Sequence, residues 1–170
     1  MSAVVLRTTE IETPVGAIVV ARNGDLICAL GFADRWESLR KEVEKRFGNV
    51  TWEDDPDGGV PAGALRRYLA GDLTALDAVE VDTAGTPFQE KVWRALRRIP
   101  AGRTISYAEL ARAVGSPSAV RAVAGANARN PVSIVVPCHR VIAADGKLAG
   151  YGGGVPRKAW LLVHEGARLA

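Results

Sequence analysis

A chain of 170 residues, 48% of them apolar, is sized for one domain or two small ones, and no run approaches the roughly 18 apolar residues of a membrane span. Two cysteines and two histidines exclude a disulfide framework and fit no zinc-finger spacing, so a reduced, cytoplasmic protein without a metal is expected. The net charge of +3 is unevenly split: residues 1–85 carry 9 Lys/Arg against 15 Asp/Glu, a net of −6, and residues 86–170 carry 13 against 4, a net of +9.

A basic half joined to an acidic half suits a polyanion-binding module on a scaffold; the alternative is a solvated basic face with no partner. The first residues lack the basic region and long apolar core of a secretory signal.

In chain order, Val4 to Glu12 and Ala17 to Ala21 read as strands. The segment Arg22-Asn23-Gly24-Asp25 is a hairpin turn, and Leu26 to Leu30 is the next, buried strand. Cys28 lies in that run and reads as core. Asp34 to Phe47 is helical, because Trp36, Leu39, Val43 and Phe47 recur at three- and four-residue steps. Glu53 to Gly59 is an acidic loop, Ala62 to Ala70 a short helix ended by Gly71, and Thr74 to Gly85 an extended linker. These strands predict an antiparallel sheet over residues 1–80.

The second half, residues 86–170, opens on Thr86-Pro87-Phe88-Gln89, a capping box with proline at the first helical position. Phe88, Val92, Leu96 and Ile99 form the apolar stripe of that helix. Ser106-Tyr107-Ala108-Glu109 is a second capping box, opening a short helix through Val114. Gly115-Ser116-Pro117 turns the chain into a helix that runs to about Arg129 and is stopped by Asn130-Pro131. Short helix, glycine turn and longer helix make a helix-turn-helix pattern, and the +9 charge strengthens it. Ser133 to Val136 reads as a strand, Asp145-Gly146 as a small hairpin or wing, and Pro156 as the start of a last helix that Gly166 caps.

The most informative run is Ile134-Val135-Val136-Pro137-Cys138-His139-Arg140. A thiol is nucleophilic as thiolate, and thiolate needs a base, a nearby cation or a helix N-terminus. This run brings a base and a cation. A cysteine at the end of a buried strand is otherwise a small inert hydrophobe, but the polar residues directly behind it favour a reactive thiol.

Pro137-Cys138-His139-Arg140-Val141, with Arg121-Ala122-Val123 and Asn130-Pro131 upstream and Tyr151-Gly152-Gly153-Gly154 and Glu165-Gly166 downstream, resembles the O6-alkylguanine-DNA alkyltransferases, the methylated-DNA–protein-cysteine methyltransferases. The likeness is specific over about Thr86 to Gly166 and loose over residues 1–85. It implies an α+β protein, with a small ribonuclease-H-like α/β domain over 1–80 and a mainly helical, winged-helix-like DNA-binding domain over 86–170.

The resemblance implies that Cys138 accepts the alkyl group, His139 is its base through a bound water, and Glu165 orients His139. It implies that Asn130 braces the turn before the cysteine and that Tyr107 gives a proton or hydrogen bond to the departing guanine. Arg121 would enter the duplex in place of the flipped nucleotide, with Ser106, Ala122 and Asn127 as further DNA contacts. Val141 through its carbonyl, Gly152 through its N–H, and Tyr151 would form the substrate pocket. The chemistry is coherent without a cofactor, since the alkyl group comes from the DNA and the thioether product is inert. The implied partner is double-stranded DNA carrying O6-alkylguanine, read by a monomer that clusters on DNA. The helix carries Asn127-Ala128-Arg129 where some relatives have bulkier apolar residues, and residues 1–85 hold no zinc-ligand set or extra cysteine module. The rival is a lesion-binding or winged-helix protein without transfer, and lesion-binding relatives lack the cysteine.

Overall fold

The computed structural model describes residues 2–148 and 150–169. The chain divides into two compact units, Met1–Thr83 and Ala84–Ala170. No helix among the described residues is long and apolar enough to cross a membrane.

In the first unit β1 (Val4–Ile11), β2 (Ile18–Asn23) and β3 (Leu26–Phe32) form a meander. A 3-10 turn and α1 (Trp36–Phe47) follow, then β4 (Val50–Asp54) and α2 (Gly59–Leu69). The sheet order is β3-β2-β1-β4. The hairpin turn falls one residue later than its Asn-Gly signal: Asn23 pairs with Leu26, and Gly24, with φ of +61°, takes the left-handed position.

The sheet is mixed rather than antiparallel, because β4 pairs parallel with β1, from Val4 beside Val50 to Thr8 beside Asp54. A helix between two strands carries the chain back to the end where it started, and α1 does this between β3 and β4. Trp36, Leu39, Val43 and Phe47 pack on Leu6, Ala21, Cys28 and Ala29, as the helical stripe predicts. Residues 74–85 are not a free linker. Leu76 and Val79 are buried, Val81 bridges to Ile27, and the Ile27 N–H and carbonyl bond Glu80 and Asp82. The apolar pair is what pulls this segment onto the unit.

The second unit contains α3 (Pro87–Leu96), β5 (Ile105–Ser106), α4 (Tyr107–Ala113), α5 (Val120–Ala128), a 3-10 turn (Cys138–Arg140), β6 (Val141–Ile142) and α6 (Val155–His164). Both predicted capping boxes form, at Thr86 with Gln89 and at Ser106 with Glu109. The helix after Ser116-Pro117 begins later than predicted, at Val120. The Trp93 indole N–H donates to the Ala126 carbonyl at 2.8 Å and fixes α5 on α3. Asp145-Gly146 is a turn closed by an Ala143 N–H to Lys147 carbonyl bond, but β6 pairs in parallel with β5 rather than with a following strand. At the end of α6, Gly166 has φ of +82° and the Ala167 N–H returns to the Leu162 carbonyl, a left-handed cap as expected.

Ser133 to Val136 is not a strand but a buried turn. Ile134 has φ of +73°, a left-handed conformation rare for a β-branched residue, and the Val135 N–H folds back to the Ser133 carbonyl at 2.8 Å. The apolar run therefore reflects burial, which strands and buried turns share.

Candidate active site

Asn130 holds this turn from inside. Its Nδ2 donates to the Val136 carbonyl at 2.7 Å, and its Oδ1 accepts from the Val132 N–H at 2.9 Å. A second tight turn at Pro137, closed by the Cys138 N–H to Val136 carbonyl bond at 2.8 Å, delivers Cys138 to the head of the 3-10 turn. Two stacked tight turns thus aim one sulfur.

Cys138, His139 and Arg140 are all buried, His139 completely. Glu165, at the C-cap of α6, is buried beside them. His139 Nε2 lies 2.9 Å from Glu165 Oε2. Burial alone would raise the Glu165 pKa, but hydrogen bonds from Arg140 and His139 outweigh it and hold the carboxyl far below its ordinary value. A carboxylate only accepts, so the proton of neutral His139 sits on Nε2 and Nδ1 keeps its lone pair. Nδ1 is buried with no hydrogen-bond partner among the described residues. Burial lowers the His139 pKa against the opposing pull of Glu165, which keeps the ring neutral and basic.

Arg140 does not serve the thiol as the sequence suggests. Its Nε and Nη2 donate to Glu165 Oε1 and Oε2 at 2.8 and 2.9 Å, and its Nη1 donates to the Ile99 carbonyl at 2.5 Å. The cation whose field reaches Cys138 is Lys158, which the sequence reading passed over. Lys158 is fully buried, and its Nζ donates to the Val141 carbonyl at 2.6 Å. The signal was available: Lys158, Leu161, Leu162 and Glu165 lie on one helical stripe of α6, and all four are buried. Burial raises the Cys138 pKa, while a hydrogen bond with Asn130 and the Lys158 charge act to lower it.

The other predicted residues fall into three groups. Tyr107 is the first residue of α4, half-buried, with its hydroxyl 3.8 Å from where a Cβ on Gly150 would lie. Burial and the neighbouring Cys138 raise its pKa, so it stays a protonated donor. Tyr151 packs edge-on against His139, with ring centroids 6.5 Å apart, and Gly152 is exposed beside it. The Val141 carbonyl carries the Lys158 bond on one lone pair and has a second to offer.

Arg121 and Ala122 are exposed on α5, and Ser106 caps α4. Asn127 departs from expectation. It is buried, 5% exposed, on the inner face of α5 with Val123 and Ala126, because steps of three and four residues return to the same side of a helix. Its side chain therefore lies on the core face of α5, apart from the exposed face that carries Arg121 and Ala122. His164, the other histidine, stacks on Trp160 at 4.8 Å on α6, apart from the His139–Glu165 pair. Cys28 is 1% exposed in β3, its thiol bonds the Ala21 carbonyl, and burial pushes its pKa up to about 11, so it is inert core.

Fold and site together are those of a cysteine-nucleophile protein built on a DNA-binding helix pair. Residues 87–167 match the family model described as 6-O-methylguanine DNA methyltransferase, DNA binding domain, and residues 6–83 match its ribonuclease-like domain. The chain belongs to the O6-methylguanine DNA methyltransferase family. It is 44% identical over 170 residues to the methylated-DNA–protein-cysteine methyltransferase of Salmonella typhimurium, covering 94% of this chain and 95% of that one. It is 45% identical over 161 residues to the protein of the same name from Mycobacterium bovis, covering 93% and 91%. Among solved structures it is similar to the Mycobacterium tuberculosis O6-methylguanine methyltransferase, with a TM-score of 0.80, 40% identity, and 95% and 93% of the two chains covered. It is equally similar to Mycobacterium tuberculosis OGT in complex with DNA, with a TM-score of 0.80, 41% identity, and 94% and 92% covered. DNA is thus a partner of this chain through its second unit.

Proposed function

We propose that the protein repairs duplex DNA by taking the alkyl group of O6-alkylguanine onto Cys138, once per molecule. The supporting observation is the buried His139–Glu165 pair next to Cys138, with His139 Nε2 committed to the carboxylate and Nδ1 open as a base. The Cys138 proton passes to His139 Nδ1, through a water in the family scheme. The thiolate attacks the alkyl carbon, a C–S bond forms, and the C–O bond breaks with its electron pair on guanine O6. Tyr107 offers its phenolic proton to the leaving base. A thioether has no acid–base route back, so turnover ends there.

The target atom lies inside the base stack, so the nucleotide must leave the duplex at a cost of a few kcal/mol. Exposed Arg121 and Ala122 on α5, with Ser106 at the head of α4, form the docking surface in this reading. The Val141 carbonyl, the Gly152 N–H and the Tyr151 ring take the flipped base. The protein acts as a single chain in the cytoplasm without a cofactor.

Mass spectrometry after incubation with a duplex carrying one O6-methylguanine tests this reading. The expected result is one methyl group on the Cys138 peptide, saturating at one per protein. Bound DNA with no mass gain would instead point to lesion recognition without transfer.

A further inference from the structure

We propose that Trp93 is a positioning residue for duplex repair: its indole sets where α5 ends and how α5 is held for docking. This rests on the reading that α5 docks on DNA and that Cys138 accepts the alkyl group.

The last carbonyls of a helix lack the N–H groups of a following turn. In α5 the helical donor for the Ala126 carbonyl would be the Asn130 N–H, four residues on. That N–H turns instead to the Asn127 carbonyl at 3.4 Å. Ala126 keeps a 3.2 Å bond from the Arg129 N–H, which Gly125 shares at the same distance. The Trp93 indole, 33 residues earlier in the chain, supplies the missing donor at 2.8 Å. Trp93 and Ala126 are both 4% and 4% exposed or so close to the core that the bond is buried. Asn130, released from the helical ladder, is the residue whose side chain clasps Val132 and Val136 ahead of Cys138. One indole thus closes α5 at the point where the turn that carries the sulfur begins.

The ring is held at its far edge as well. A Cβ on Gly85 would overlap Trp93 Cζ3 and lie 2.7 Å from Cη2, so an alanine there must displace the ring or the backbone. The Gly85 N–H donates to Glu90 Oε1 at 2.7 Å, and Ala84 before it takes a left-handed φ of +46°. The indole therefore lies between Gly85 and the end of α5.

Docking needs α5 in one pose. If the folded protein holds that pose in only a fraction of molecules, the apparent Kd rises by the inverse of that fraction. One hydrogen bond changes such a population by about five- to tenfold. Buried as it is, Trp93 acts through α5 and not by touching substrate.

The test compares the wild type with Trp93→Phe, which keeps an aromatic ring and removes the N–H, and with Gly85→Ala, which keeps the N–H and displaces the ring. Binding to an undamaged duplex is measured first. It needs no chemistry, so a protein that failed to transfer methyl groups would still answer it. Both variants are expected to weaken binding about five- to tenfold at temperatures well below unfolding. The salt slope should stay unchanged, because no phosphate contact is removed. Transfer from O6-methylguanine in a duplex should fall by a similar factor relative to transfer from the free base. A lowered melting temperature with unchanged duplex affinity would make Trp93 an ordinary core residue and overturn the proposal.

If neither variant folds, the wild type still decides. The Trp93 indole N–H, followed by NMR on nitrogen-labelled tryptophan, should exchange with solvent about five- to tenfold more slowly once an undamaged duplex is bound. A bond that favours the docked pose is favoured by docking in return. Unchanged exchange would overturn the proposal.

Discussion

Arg140 grips both carboxylate oxygens of Glu165, 25 residues further along the chain, and the same carboxylate receives the Nε2 proton of His139. The fork sets the plane of the carboxylate, the carboxylate sets the imidazole, and the imidazole is left with Nδ1 unengaged. A bidentate guanidinium suits this task because its donors are fixed in one plane.

Glu165→Gln is expected to break this arrangement at constant size. It leaves the buried Arg140 charge without its counterion, which costs about 3–5 kcal/mol of stability. It also removes the anion that supports His139, so single-turnover methyl transfer should slow by about 10²-fold or more. Thermal unfolding and a quenched-flow transfer assay read the two effects separately.

Acid should weaken the fold in two stages. The His139 pKa is lowered by burial below its ordinary 6.5, so below that pH the unfolded chain binds a proton that the folded one refuses. This contribution to stability is therefore present above pH 6.5 and lost as pH falls towards the folded value. The Glu165 pKa is held below its ordinary 4.5, so its contribution is present above that pH and lost below it. Urea unfolding across pH 7 to 4 should show stability declining towards acid, with the upper stage missing in His139→Gln.

Arg121 and Asn127, both expected to meet DNA, should part company under mutation. Arg121→Ala changes an exposed side chain and should leave stability within about 0.5 kcal/mol. It should slow repair in duplex far more than transfer from the free O6-methylguanine base, which needs no flipping. Asn127→Ala changes a buried side chain and should alter stability while leaving the salt slope of DNA binding unchanged. Equal losses on both substrates for Arg121→Ala would remove its role in extrusion.

Asn130→Ala should loosen the turn that carries the sulfur. It deletes both side-chain bonds, leaving the Val132 N–H unmet at about 1–3 kcal/mol if water does not reach it, and the Val136 carbonyl with only its bond from the Cys138 N–H. Transfer should fall more than stability explains, because the turn that aims the Cys138 sulfur loses its clasp.

The sequence made local chemistry legible and long-range chemistry less so. Thr86 with Gln89 and Ser106 with Glu109 announce helix starts because capping is settled within four residues. Motif likeness names Cys138, His139 and Glu165, and the structure pairs His139 with Glu165 next to the cysteine in the chain. β4 was missed because Val50 and Trp52 are only half-buried and run into acidic residues, and its parallel pairing depends on α1 rather than on its own pattern. Ser133 to Val136 looked like a strand because β-branched residues favour strands, but Asn130 overrides that preference and holds Ile134 left-handed. Lys158 was passed over because a lysine in a helix is normally a solvated one; only its phase with Leu161 and Leu162 marks it as inward.

The stapled turn between α5 and Cys138 has a mechanical consequence. Asn130 sits two residues past the end of α5, and its amide clasps the backbone two residues before the sulfur. No slack is left between α5, the helix proposed to dock on DNA, and the Cys138 sulfur, the proposed alkyl acceptor. In the proposed docking mode, a helix seated one step out of register would carry its sulfur to the wrong place. Correct seating on the duplex and correct aim at the lesion are then one mechanical event.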